Sequence, residues 1–262
     1  MSIMYGENTW EDIGRAAKEE YVLVLPAGAI EQHGPMLPID TDARLAERWA
    51  IEGAREAREK YGVKVLVMPL LPYGQSCHHM NFPGTISLRF ETYVAVLSDV
   101  LREVIRHGFK KIVIVNGNGG NETSIQVAMY KMMEEMALQG KHVKIYNFEH
   151  YPNPDIKKGL KEAEKGLAPE GQMAIHASRP EVAETLADRK HLVKMEKAVK
   201  PKLKVDKEPN YAWRTDELSE TGAFGDPSTA TVELGNAYWR TWKEAIGKYL
   251  LAVSKNEIRY ST

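Results

Sequence analysis

The sequence predicts an α/β fold with a largely parallel sheet, because short apolar runs alternate with longer amphipathic segments and turn residues separate the two. Residues 21–26 (YVLVLP) read as a first strand, 63–70 (VKVLVMPL) as a second, 111–115 (KIVIV) as a third and 143–148 as a fourth. Apolar runs of this length fit strands covered on both faces. Between them, 42–60 places Leu45, Ala46, Trp49 and Ala50 on one helical face behind an Asp suited to cap it. Residues 89–107 carry Tyr93, Val96, Leu97, Val100, Leu101 and Val104 and stop at Gly108; 122–139 stop at Gly140; 235–253 form a last helix. Strand and helix in alternation imply right-handed crossovers. Residues 151–220 are rich in Lys, Glu and Pro, and read as an irregular excursion, ordered over 172–191, within one domain spanning 1–262.

The composition narrows the function. The 35 basic and 36 acidic residues nearly cancel, which gives no nucleic-acid surface and no polybasic membrane patch. Cys77 is the only cysteine, so no intrachain disulfide forms and a cytoplasmic location is expected. The N-terminal residues lack the apolar core of a signal peptide, and no run approaches the ~20 apolar residues of a membrane helix.

Four segments carry the chemistry, the first three of them just past a predicted strand, where open parallel sheets bind ligands. PAGAIEQHGPMLPIDTD (26–42) is stiffened by three prolines and two glycines and projects Glu31, His33 and Asp42, a set suited to Zn²⁺ or Mn²⁺. GQSCHHMNFPGT (74–85) offers Ser76 and His79 to orient substrate or shuttle protons; of the adjacent His78 and His79, at most one is expected to face the site. VNGNGGN (115–121) is a glycine-rich turn whose Gly119 and Gly120 amides suit an anionic oxygen. MAIHASRPEVAET (173–185) supplies His176 as general acid or base and Glu181 or Glu184 as a ligand. GAFGDPSTAT (222–231) reads as a capping turn. No lysine follows the glycines as in a P-loop, which argues against a nucleotide site.

In this order the motifs resemble the creatininase family (creatinine amidohydrolase and its relatives). The resemblance implies a three-layer α/β/α sandwich around a mainly parallel sheet, a homo-oligomer (commonly a hexamer), and one or two divalent ions, Zn or Mn. It matches Glu31, His33 and Asp42 to family ligands, with Asp42 bridging, His176 to a histidine near the reacting group, and Glu184 to the glutamate of a Glu-Thr pair. Two departures stand out. Asn118 stands where the family has a ligand histidine, and its amide oxygen binds Zn²⁺ more weakly, so the site is expected either to hold one tight metal or to recruit Glu122 or His79; His176 and Glu184 are also farther apart than in the family pattern. The expected activity is metal-assisted attack of water on the carbonyl of a small cyclic amide or formamide. The alternatives are ring-opening C–C hydrolysis of a cyclic diketone such as a 3-dehydro-scyllo-inosose, and a metal-free, inactive binding or scaffold subunit.

Overall fold

A computed structural model of the chain describes residues 1–148, 154–167, 176–204 and 212–258. In chain order it contains α1 (Trp10–Lys18), β1 (Val22–Ala27), α2 (Thr41–Tyr61), β2 (Val65–Val67), α3 (Phe90–Arg106), β3 (Lys111–Asn116), α4 (Glu122–Leu138), β4 (Lys144–Phe148), α5 (Pro154–Glu164), α6 (Arg179–Arg189), α7 (Thr215–Leu218) and α8 (Val232–Lys255). The four strands form one parallel sheet in the order β2-β1-β3-β4.

Strand alternation explains the layers. Val22, Val24, Val65, Val67, Val113 and Val115 face one side and pack with α2, α6 and α8. Leu23, Leu25, Leu66, Ile112 and Ile114 face the other and pack with α1, α3 and α4. The result is the expected three-layer sandwich.

The second strand is shorter than its apolar run predicts. Beyond Val67 the chain stays hydrogen-bonded to β1 irregularly, through Met68 N to Val24 O (2.8 Å) and Leu71 N to Pro26 O (3.0 Å). The excursion also departs from expectation. Within its described residues it holds three helices, α5, α6 and α7, and α6 opens with a Ser178–Glu181 capping box and a proline in its first turn. Val182, Ala183 and Leu186 then join the same core as Val24 and Trp242. Residues 172–175 of the predicted ordered stretch lie outside the described residues.

The strand order creates the site. α2 leaves β1 along one face and α4 leaves β3 along the other, so the carboxyl ends of these neighbouring strands form a topological switch point. Two glycines let the first turn of α2 settle there. A Cβ on Gly28 would lie 2.4 Å from Ala43 Cα, and one on Gly117 would lie 2.7 Å from the Asp42 carbonyl oxygen. Asp42 thereby stands over the crevice.

Candidate metal centre

Glu31, His33 and Asp42 converge with His79, His176 and Glu181 at the switch point. Glu31, Asp42 and His79 are 2–3% exposed and His33 is fully buried. His33 Nε2 lies 2.9 Å from Asp42 Oδ1 and 3.8 Å from Glu181 Oε1. Glu31 Oε1 lies 3.4 Å from His79 Nε2 and 3.5 Å from His176 Nδ1. Two sets, Glu31–His33–His176 and His33–Asp42–Glu181, each bring their ligand atoms within 4.8 Å of one another.

Hydrogen bonds fix the tautomers. His33 Nδ1 donates to the Glu31 carbonyl (3.2 Å) and His176 Nε2 to the Gln32 carbonyl (2.8 Å). The remaining nitrogen of each ring is therefore aimed at carboxylate oxygens. A lone pair facing a carboxylate needs a proton or a cation between them, and ligand histidines are held by such second bonds. Glu31 Oε2 and Asp42 Oδ2 are buried with no hydrogen-bond partner, and buried His33 Nε2 faces only the carboxylates of Asp42 and Glu181. Buried polar atoms of this kind are rare and costly, and a divalent ion would satisfy all three together. Mixed imidazole and carboxylate donors suit Zn²⁺ and Mn²⁺.

The electrostatics agree. Burial raises the Glu31 and Asp42 carboxyls; the charges of Asp42 and Glu181 raise Glu31 further and that of Glu181 raises Asp42, against the lowering pull of His33 on both. Burial opposes charging of His33, but Asp42 and Glu181 outweigh it and raise the imidazole well above its usual range. Burial and the His33 charge lower His176 to about 3, and burial lowers His79 further still. The carboxylates thus favour positive charge at His33, and a divalent ion there would supply it in place of a proton.

Several predicted residues sit elsewhere. Glu184 is buried, but its Oε1 accepts from Trp49 Nε1 (2.9 Å), so it packs between helices; Glu181, one turn earlier, faces His33 instead. Asn118 is spent on its own turn, with Oδ1 accepting from Gly120 N (2.8 Å) and Nδ2 donating to Ser76 Oγ (3.4 Å). That bond also commits the Gly120 amide, while Gly119 lies exposed in the same short turn. Glu122 is exposed at the start of α4 and belongs to neither ligand set. Ser76 is buried, and its hydroxyl is the acceptor for Asn118 Nδ2.

Sequence reasoning passed over Gln32 and Thr215. Gln32 Nε2 contacts His79 Nδ1 (2.8 Å) and donates to the Gly222 carbonyl (3.0 Å), so the segment read as a capping turn also closes the site. Thr215 Oγ1 lies 2.7 Å from His79 Nδ1. The position of Gln32 inside Glu-Gln-His was the available signal; Thr215 offered none.

A family model described as creatinine amidohydrolase matches residues 6–250. The chain belongs to the creatininase family. A creatinine amidohydrolase from Pseudomonas putida is 33% identical over 145 residues, covering 53% of this chain and 54% of that protein. A 3-dehydro-scyllo-inosose hydrolase from Thermotoga maritima is 28% identical over 179 residues, 68% of this chain and 54% of that protein. The chain thus spans about half the length of these curated relatives. A manganese form of creatininase superimposes with a TM-score of 0.80 at 26% identity, covering 95% of this chain and 97% of that one, and a Zn–Zn form of a creatininase variant does equally well. The creatininase fold and its Mn and Zn forms thus accord with the donor set at this switch point. Among the described residues, no helix is long and apolar enough to cross a membrane.

Proposed function

We propose that this chain is a metal-dependent hydrolase that cleaves the carbonyl–nitrogen bond of a small cyclic amide or formamide. The observation that carries the reading is the convergence of buried Glu31, His33 and Asp42, in which Glu31 Oε2 and Asp42 Oδ2 have no hydrogen-bond partner and His33 Nε2 faces only carboxylate oxygens. His33, Asp42 and Glu181 would hold one divalent ion, Zn or Mn, and Glu31 with His176 would complete a second position. Such an ion, when bound, lowers the pKa of water and polarises a carbonyl.

The chain's own groups arrange the rest. Glu31 Oε1 is placed to take a proton from the attacking water, and His79 Nε2 lies beside it to carry that proton to the departing nitrogen. Gln32 and Thr215 hold the His79 ring in place. Burial of the cluster excludes bulk water and strengthens every charge in it. Assembly as a homo-oligomer, a hexamer by family resemblance, is part of the same proposal.

Cleavage of a carbon–carbon bond in a cyclic diketone is the second reading. It is favoured by the longer alignment with the inosose hydrolase, 68% of this chain against 53% for the amidohydrolase. The same water attack would then expel a carbon stabilised as an enolate.

Metal content per chain, measured by plasma mass spectrometry on protein purified without a metal-affinity tag, tests the reading. Near-stoichiometric Zn or Mn is expected in wild type, most of it lost in Asp42→Ala and Glu181→Gln and kept in Glu184→Gln. Creatinine, formamides and cyclic diketones would then be assayed with the loaded protein. Wild type that holds no metal and takes none up would overturn the hydrolase and leave the scaffold subunit.

A further inference from the structure

Five aromatic side chains form a closed circuit that runs from the buried cluster to the surface. His176 stacks on His79 (centroids 4.5 Å apart), and His79 lies 4.1 Å from His78. His78 meets the edge of Trp213 at 5.5 Å, Trp213 lies 5.8 Å from Phe224, and Phe224 returns to His176 at 6.3 Å. His79 and Phe224 are buried, whereas His78 and Trp213 remain partly exposed. The circuit therefore meets solvent along the His78–Trp213 side.

This arrangement is anchored. Phe224 N donates to the His176 carbonyl (2.9 Å), which fixes one side of the circuit to the cluster. On the other side Thr215, two residues after Trp213, contacts His79 Nδ1 at 2.7 Å, and Asn81 Nδ2 donates to Asp216 Oδ2 at 2.8 Å. A short segment is thus pinned to the 76–85 loop at two points, and the indole it carries stands beside the histidines rather than loose on the surface.

We infer that Trp213, with His78 and Phe224, is the substrate-facing wall of the site and selects substrates that carry a planar, unsaturated group next to the reacting carbonyl. Flat π-faces favour a flat partner in offset or edge-on contact, and the flanking imidazoles can hydrogen-bond its edge. A saturated, non-planar substituent would lose that contact. The inference rests on the proposed hydrolase reading, because it assumes that the carbonyl is held at the Glu31–His33–Asp42 cluster.

Two hydroxamates of equal chelating chemistry separate the ideas. Acetohydroxamate presents only a methyl group beside the chelating atoms, whereas benzohydroxamate presents a planar ring. Titration calorimetry on zinc-loaded full-length protein is expected to show benzohydroxamate binding about 10-fold tighter, as aromatic contacts allow. The ratio should fall to about 1 in Trp213→Ala and persist in Trp213→Phe, with metal content per chain unchanged in both variants. An undiminished preference in Trp213→Ala would overturn the wall while leaving the metal site standing. If Trp213→Ala does not fold, loss of the preference in His78→Ala makes the same test. Failure of both hydroxamates to bind zinc-loaded wild type would overturn the metal reading, and the wall with it.

Discussion

Glu181 and Glu184 lie one helical turn apart yet meet opposite environments. Glu181 Oε1 is 3.8 Å from His33, and the interaction with His33, together with the Ser178 amide that donates to Oε2 (3.2 Å), outweighs burial and lowers its carboxyl to about 2. Glu184 is raised to about 8, chiefly by burial, against an ordinary value near 4.5. The folded chain therefore keeps a proton on Glu184 through neutral pH that the unfolded chain releases. The stability this contributes is fully present below about pH 4.5 and is lost as pH rises to about 8. In Glu184→Gln the amide oxygen still accepts from Trp49 and nothing titrates. Thermal melts of metal-free protein should show the variant gaining on wild type between pH 5 and pH 8 and holding a constant lead above that; a pH-independent difference would refute the assignment. The sequence offered both glutamates as candidates and could not choose between them, because residues three apart share a helix face. The choice is made by Trp49 on α2 and Trp239 on α8, whose indole nitrogens bond the Glu184 side chain and carbonyl.

At the scale of elements, the approach of α2 to the ends of β1 and β3 carries the geometry. Gly28 faces backbone atoms of Ala43 that cannot swing aside, so Gly28→Ala is expected to cost about 1–3 kcal/mol by overpacking and to reduce bound metal by displacing Asp42. Gly14 in α1 provides the contrast, since nothing lies within 4 Å of an added Cβ. Gly14→Ala should stabilise by up to about 1 kcal/mol through helix propensity. Urea denaturation of both variants checks the pair, and equal effects would show that the close approach is unimportant. The strands and long helices were legible because their apolar periodicity is strong. α6 was legible only as an ordered stretch and not as core, because its contact face includes small residues such as Ala183 and reads as polar surface until α8 covers it. Glu31, His33 and Asp42 were legible for the opposite reason: a loop stiffened by prolines has little cause to carry three ligand types. His78, Trp213 and Phe224 carry no shared motif and meet only through tertiary contacts.

For the whole molecule, a metal held by the 31–33 loop, α2 and α6 should couple to global stability. A ligand that binds only the native state at 100 times its dissociation constant stabilises by about 2.7 kcal/mol. For a chain of this size that corresponds to a rise of roughly 5–10 °C in Tm. Scanning calorimetry with and without Zn²⁺ or Mn²⁺ should show such a rise in wild type and little in Asp42→Ala; identical melts in wild type would argue against native-state binding. The family's sandwich was readable from the motif order, but the closing of its site by residues 213–224 was not, because the hydrogen bonds that bring them in join segments remote in sequence.

That remoteness has a consequence for how the protein matures. Gln32 and His176 are partners 144 residues apart, so a ribosome-bound chain completes the whole parallel sheet before the second half of the ligand set emerges. Glu31, His33 and Asp42 wait as an incomplete nest with an excess of acid. In small zinc modules the ion organises an otherwise unfolded peptide. Here the four strands precede His176 and Glu181 in the chain, so the sheet is expected to assemble without the ion and to capture it once α6 and α8 have packed on its face. Metal starvation during synthesis should therefore yield a folded apoprotein that can be charged later, rather than a misfolded one destined for proteolysis.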